Sequence, residues 1–202
     1  MNKEKQTLSK WSAEGVNWFA VFCKTYEERR VAKSLQTLLD AENAGKYYVF
    51  VPTRDYAHQK KEVTIRKVPW LNSYVFIATT ESAENCTKMV ASLIVNDTTI
   101  FKVLSYDNSR EAAPLTEEDK QLFIAILDNN FHIPAIKAIV VDGKVEIQKN
   151  PIESNGGKII KVNRRKQSAL VEMFMMGENL KYEIALEFPK SKDVIRMKSK
   201  DS

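Results

Sequence analysis

WFAVFCKTYEERRVAKSLQTLL, residues 18–39, decides how the chain begins to fold. Its first part, Trp18 to Cys23, is a short apolar and aromatic run of the kind that builds a buried strand. Then the period changes. Thr25 and Glu28 have the spacing of a capping box, in which a hydroxyl and a carboxylate satisfy free backbone donors, and Val31, Leu35, Leu38 and Leu39 recur at helical spacing. The stretch predicts a strand followed by a helix that runs to about Glu42 and stops near Gly45.

Downstream, Tyr47 to Pro52 (YYVFVP) is β-rich, Asp55 to Lys67 is a polar arm with loose alternation, and Ser73 to Ala78 (SYVFIA) is another strand. Cys86, Met89, Val90 and Leu93 share one helix face, and Thr99 to Leu104 (TIFKVL) closes the set with a strand. The order β-α-β-β-α-β is the split βαβ arrangement, with helices packed on a mostly antiparallel sheet. Thr116 and Asp119 repeat the cap pattern ahead of Leu122, Phe123, Ile126 and Leu127, so a third helix is expected to about Asp128. Asn129 to Ala138 suits neither period and is read as a linker. Beyond it, Gly143–Gln148, Gly157–Val162, Ser168–Phe174 and Leu180–Leu186 alternate over short runs joined by turn residues, the spacing of a small SH3-like barrel. The expected class is α+β in two domains, residues 16–128 and 139–188, with a disordered leader at 1–15 and a disordered tail at 189–202.

A chain of 202 residues, 44% hydrophobic and 28% charged, has enough apolar content for such cores. Cys23 and Cys86 make no disulfide framework, and no apolar run approaches the roughly 18–20 residues that span a bilayer. A soluble cytoplasmic protein is expected. Charge is unevenly shared: 17 cations meet 17 anions up to Pro134, but 14 meet 9 beyond it, so the whole net charge of +5 lies in the last third. Much of it gathers in KIIKVNRRKQ, residues 158–167, a surface suited either to solubility or to phosphate. His58, His132, Cys23 and Cys86 are scattered, with no CxxC pair, no HExxH and no Gly-rich phosphate loop, so neither an enzyme nor a metal or other cofactor is expected.

WFAVFCK at Trp18 to Lys24, a helix carrying E-x-R, VPT at Val51 to Thr53 and SYVFI at Ser73 to Ile77 resemble the NGN domain of NusG-type transcription elongation factors. V-x-I at Val145 to Ile147, Asn150-Pro151, Gly157 and VEMFMMG at Val171 to Gly177 resemble their KOW module. The likeness spans roughly residues 16–188. Housekeeping members carry Pro-Gly where this chain has Asn72-Ser73, and Gly-Pro then Gly where it has Asn150-Pro151 and Ser154; a left-handed Asn150 would preserve that turn. In the loop they use for Rho and a ribosomal protein, Met176-Gly177-Glu178 replaces an aromatic-Gly-Arg pattern, which puts those partners in doubt. These departures make the chain similar to specialised paralogues, the LoaP-type, UpxY and RfaH antiterminators.

The resemblance implies a monomer that binds the clamp helices of the RNA polymerase largest subunit through Trp18, Phe22, Tyr74 and Phe76, any of which is otherwise ordinary core. It implies nucleic-acid contacts at Lys24, Arg29 and Arg30, towards non-template DNA, and at Lys158, Lys161, Arg164, Arg165 and Lys166, towards a leader RNA hairpin. The function so implied is operon-specific antitermination without catalysis. A general elongation factor, a stand-alone KOW protein that binds RNA or the ribosome, and an enzyme are the alternatives.

Overall fold

The computed structural model describes residues 8–94, 98–105, 112–148 and 150–189. In chain order its elements are α1 (Leu8–Trp11), β1 (Asn17–Cys23), α2 (Glu28–Asn43), β2 (Tyr47–Phe50), β3 (Thr53–Gln59), β4 (Val63–Pro69), β5 (Tyr74–Thr79), α3 (Ala83–Ile94), β6 (Ile100–Val103), α4 (Glu117–Ile126), β7 (His132–Ile133), β8 (Ile136–Val141), β9 (Lys144–Ile147), α5 (Pro151–Ser154), β10 (Lys158–Asn163), β11 (Ser168–Met175) and β12 (Glu178–Glu187). They fall into two units, Met1–Thr53 with Pro69–Ile133, and Arg54–Val68 with Pro134–Ser202.

The first unit is built on an antiparallel sheet in the order β2-β5-β1-β6. Strand side chains alternate between faces, and both faces of β1 are apolar. Phe19, Val21 and Cys23 point to one face, where they join Val31, Leu35 and Leu39 of α2 and Cys86 and Val90 of α3 in a core. Trp18 points to the other face and meets Phe50, Phe123 of α4 and Phe131, with ring centroids 4.9, 5.8 and 6.0 Å away. Each of these large side chains contributes on the order of 1.5–3 kcal/mol by leaving water, so the sheet is stabilised from both sides.

Two expectations fail in this unit for the same reason, an unforeseen long-range partner. The expected disordered leader is ordered over residues 8–15, residues 1–7 lying outside the described residues: Leu8 and Trp11 in α1 are buried, Trp11 stacks on Tyr48 at 5.5 Å, and its carbonyl accepts the indole N–H of Trp18 at 2.7 Å. The capping box at Thr25 and Glu28 does not form, and α2 starts without a side-chain cap. The Glu28 carboxylate accepts instead from the backbone N–H of Ser73 at 2.7 Å and of Tyr26 at 3.2 Å. The second cap holds, with Thr116 Oγ1 accepting from the N–H of Asp119.

The second unit carries a five-stranded, nearly closed sheet in the order β10-β11-β12-β8-β9, the SH3-like barrel expected of a KOW module. Four of its strands are those expected. The fifth, β8, begins inside the segment read as a linker and runs parallel to β12, with Leu186 opposite Ile136. Asn150 is not left-handed: it sits at φ −134° and caps α5, its Oδ1 accepting from the N–H groups of Ile152 and Glu153, both at 3.1 Å. The β3–β4 hairpin belongs to this unit. Arg54 donates to the Glu183 carbonyl and lies over the rings of Tyr56 and Tyr182, and Asp55 accepts from the Ala135 N–H at 3.0 Å. The expected tail lies, from Lys190 on, outside the described residues.

Candidate functional site

Phe22, next to last in β1, stands directly opposite Tyr74 across the antiparallel pair, with ring centroids 5.6 Å apart. On its other side lies β6. There the register slips: Phe22 faces Lys102 while Cys23 faces Ile100, which leaves Phe101 as the extra residue of a bulge. A bulge re-aims the side chain it carries. Phe101 turns its ring towards Phe22 at 5.4 Å and remains 53% exposed. The result is three aromatic rings in a row at one end of the sheet, all partly or largely open to solvent.

The same sheet shows why the other two expected aromatics lie elsewhere. Trp18 and Phe76 are fully buried, Phe76 stacking on Phe50 at 5.6 Å and meeting Phe123 edge-on at 5.1 Å. They share a face with Phe22 and Tyr74 but lie under α4, so neither presents surface to a partner. This corrects the expectation that all four are contact residues: Trp18 and Phe76 are core that supports the sheet on which Phe22 and Tyr74 stand. Phe101 escaped the sequence reading because TIFKVL shows only a strand. The slip of register that exposes it depends on pairing with β1.

Beside the aromatic row, the turn between β1 and α2 is held by the Glu28 carboxylate and by a 2.6 Å contact between the hydroxyls of Thr25 and Ser73. Tyr26 in this turn is 93% exposed. Lys24, Arg29 and Arg30 are exposed at the same corner, where the Nε of Arg30 lies 2.7 Å from Glu27 and its Nη2 donates to the Thr99 hydroxyl.

Lys158, Lys161, Arg164, Arg165 and Lys166 come together on one hairpin of the second unit. Lys158 lies opposite Glu172, whose carboxylate pairs with Lys181 at 3.0 Å, so its charge is partly offset. The other cations have no such neighbour in register: Lys161 faces Leu170, and Arg164, Arg165 and Lys166 occupy the turn itself. That turn is fixed by a backbone bond from Gln167 N–H to the Arg164 carbonyl (3.1 Å) and by the side-chain Oδ1 of Asn163, which accepts from Lys166 N–H (2.9 Å), with Gln167 left-handed at φ 51°. Its three long cationic side chains are exposed. Such a tip suits polyanion backbone, where affinity comes from counterion release, and Arg grips phosphate in bidentate fashion.

Among the described residues no group of three or more His, Cys, Asp or Glu is placed to hold a metal ion, and no helix is long and apolar enough to cross a membrane. Cys86 is buried against the sheet, and burial pushes its thiol up to about 12, away from the thiolate a nucleophile needs.

A family model described as transcription termination factor NusG matches residues 16–124. No curated protein matches the chain. Among solved structures, NusG of Thermotoga maritima, studied for its domain interaction, is similar at 15% identity and a TM-score of 0.51, over 84% of this chain and 93% of that one. That likeness is one of fold. Two conformations of the MjSpt4:Spt5 complex match at 14% identity and TM-scores of 0.35 and 0.33, covering 83% of this chain and 91% and 92% of theirs.

Proposed function

The chain belongs to the NusG family of transcription factors, and from that premise we propose that it is an operon-specific elongation and antitermination factor that binds RNA polymerase and catalyses nothing itself. The observation that carries the polymerase contact is the row Phe22, Tyr74 and Phe101, an aromatic surface left open at the end of an otherwise double-sided core. Exposed aromatic surface of this kind marks a protein partner, and the clamp helices of the largest subunit are the partner the family implies. Bound there, the factor would bias the clamp towards its closed arrangement and disfavour the rearrangements that accompany pausing and termination.

The basic hairpin supplies the second contact. Arg164, Arg165, Lys166 and Lys161 would hold the backbone of a leader RNA hairpin, with shape and charge rather than base edges giving most of the affinity. Lys24, Arg29 and Tyr26 at the corner next to α2 would face displaced DNA. Specialisation is supported by Met176-Gly177-Glu178, where an acidic residue stands in the loop that housekeeping members use for Rho and a ribosomal protein.

Nascent-transcript sequencing with and without the protein, combined with crosslinking to polymerase, tests the reading. Read-through gained at terminators of one or a few long operons, with crosslinks to the clamp helices, is the expected result. Crosslinks spread over all genes would make it a general elongation factor, and the absence of any polymerase crosslink would leave a stand-alone RNA-binding or ribosome-associated protein.

A further inference from the structure

The β3–β4 hairpin and the barrel strands, far apart in sequence, enclose a groove of about 700 Å³ within the second unit. That is within the range of roughly 300–1,000 Å³ seen for small-ligand sites. Apolar surface comes from Ile65 of the hairpin and from Ile139 and Phe188 of the barrel side, above a buried Leu186. Hydrogen-bonding groups are interspersed: the amides of Gln148 and Gln167, the ammonium of Lys137 and the carboxylates of Asp55 and Glu187.

The charges are arranged in an unusual order. One cation and two carboxylates line the groove, Glu187 standing opposite Lys137 in register and Asp55 accepting from the Ala135 N–H, a balance that disfavours phosphate. Outside it, Gln167 directly follows the Arg164–Lys166 turn, and Lys60, Lys61, Arg66 and Lys67 outnumber Glu62 among the exposed charges of the hairpin that carries Ile65. The surroundings therefore attract a polyanion, while the groove offers apolar walls with donors and acceptors among them. A nucleobase has that combination: flat apolar faces and a donor–acceptor edge. Side-chain amides pair bidentately with adenine, carboxylates accept from exocyclic amines, and unstacked bases are what RNA loops present to proteins.

We propose that this groove takes an unstacked base of an RNA whose adjoining phosphates lie on the Arg164–Lys166 turn. The inference rests on the RNA reading of the basic hairpin and adds base selection to it.

The test uses the full chain and three fluorescein-labelled RNA hairpins that share one stem and carry loops of adenosine, cytidine or uridine, with anisotropy measured over a salt series. Wild type is expected to bind the best and worst of the three with affinities at least about fivefold apart, the low end of what one base contact discriminates. Ile65→Trp, which fills the groove, and Gln148→Leu, which removes one of its amides, should each bring that spread below about twofold while leaving the salt slope unchanged. Arg164→Ala with Arg165→Ala should weaken all three equally, reduce the slope by about 1.4 and keep the spread. Equal binding of the three RNAs by wild type, or a spread that survives both groove variants, overturns the base site alone. A salt slope unmoved by the arginine substitutions overturns the RNA reading of the turn, and failure to bind any of the RNAs overturns both.

Discussion

Glu28 shows how one side chain is diverted from a local task to a distant one. Its carboxylate holds the backbone N–H groups of Tyr26 and Ser73, and both residues have positive φ, 70° and 69°. A left-handed conformation costs an ordinary L-residue roughly 1–2 kcal/mol, and the buried carboxylate offsets that cost at the corner beside the aromatic row. Glu28→Ala is expected to lower stability by on the order of 2–3 kcal/mol in urea denaturation, since it removes charge-assisted bonds and leaves a buried N–H unpaired. Ser73→Gly relieves the backbone but gives up the Thr25 hydroxyl contact, so its effect should stay below about 1 kcal/mol. A loss as large as that of Glu28→Ala would show that the hydroxyl, not the backbone, is what matters at position 73. Cys86 offers a second test. Burial raises its folded pKa from 9.0 to about 12, so the stability linked to its protonated form is full below pH 9 and is lost as pH rises towards 12. At pH 8 the native thiol should resist Ellman's reagent and react only at the rate of opening, with urea accelerating the reaction. Rapid labelling in the native state would contradict the burial.

Elements divide into those written in local periodicity and those that depend on their partners. β1, α2, α4 and the strands β9 to β12 follow from alternation, helical spacing and turn residues that any window of the sequence displays. β8 is missed because Pro134 and the asparagines before it read as a linker and its parallel pairing with β12 leaves no local mark, although Asp142-Gly143, left-handed at both residues, marks its hairpin with β9. Two of the three aromatics of the site are legible, since Phe22 and Tyr74 sit in strong strand patterns, whereas the burial of Trp18 and Phe76 under α4 and the bulge that turns out Phe101 exist only once the sheet has assembled. These placements predict different consequences for residues that look alike in sequence. Phe22→Ala and Phe101→Ala should weaken polymerase binding at least about tenfold, as expected of a partner-facing aromatic. The exposed Phe101 should do so with a stability change under about 1 kcal/mol. Trp18→Ala should cost about 3–5 kcal/mol of stability by opening a cavity in the core. Pull-down of polymerase alongside denaturation curves separates the cases, and a Phe101→Ala protein that binds normally would remove the bulge from the interface.

At the scale of the molecule, net charge and connectivity both set the second unit apart. The entire excess of positive charge follows Pro134, yet this unit is not the C-terminal segment alone, because residues 54–68 return from the middle of the chain to complete it. Arg54 is the clearest sign of that return. Burial pulls its guanidinium below its usual pKa, and the side chain is nonetheless retained between Tyr56 and Tyr182 with a bond to the Glu183 carbonyl. A desolvated cation is tolerated only where packing and hydrogen bonds compensate for it, so the hairpin contributes to the unit's stability as well as lying beside it. A fragment comprising residues 134–189 should consequently unfold at lower urea concentration than the same unit within the full chain, and Arg54→Ala in the full chain should reproduce much of that loss, on the order of 2 kcal/mol. Amide exchange along β12, compared between the fragment and the full chain, follows this unit specifically. If the fragment matches the full chain in its protection, the barrel is self-sufficient and neither Arg54 nor the hairpin it belongs to stabilises the unit.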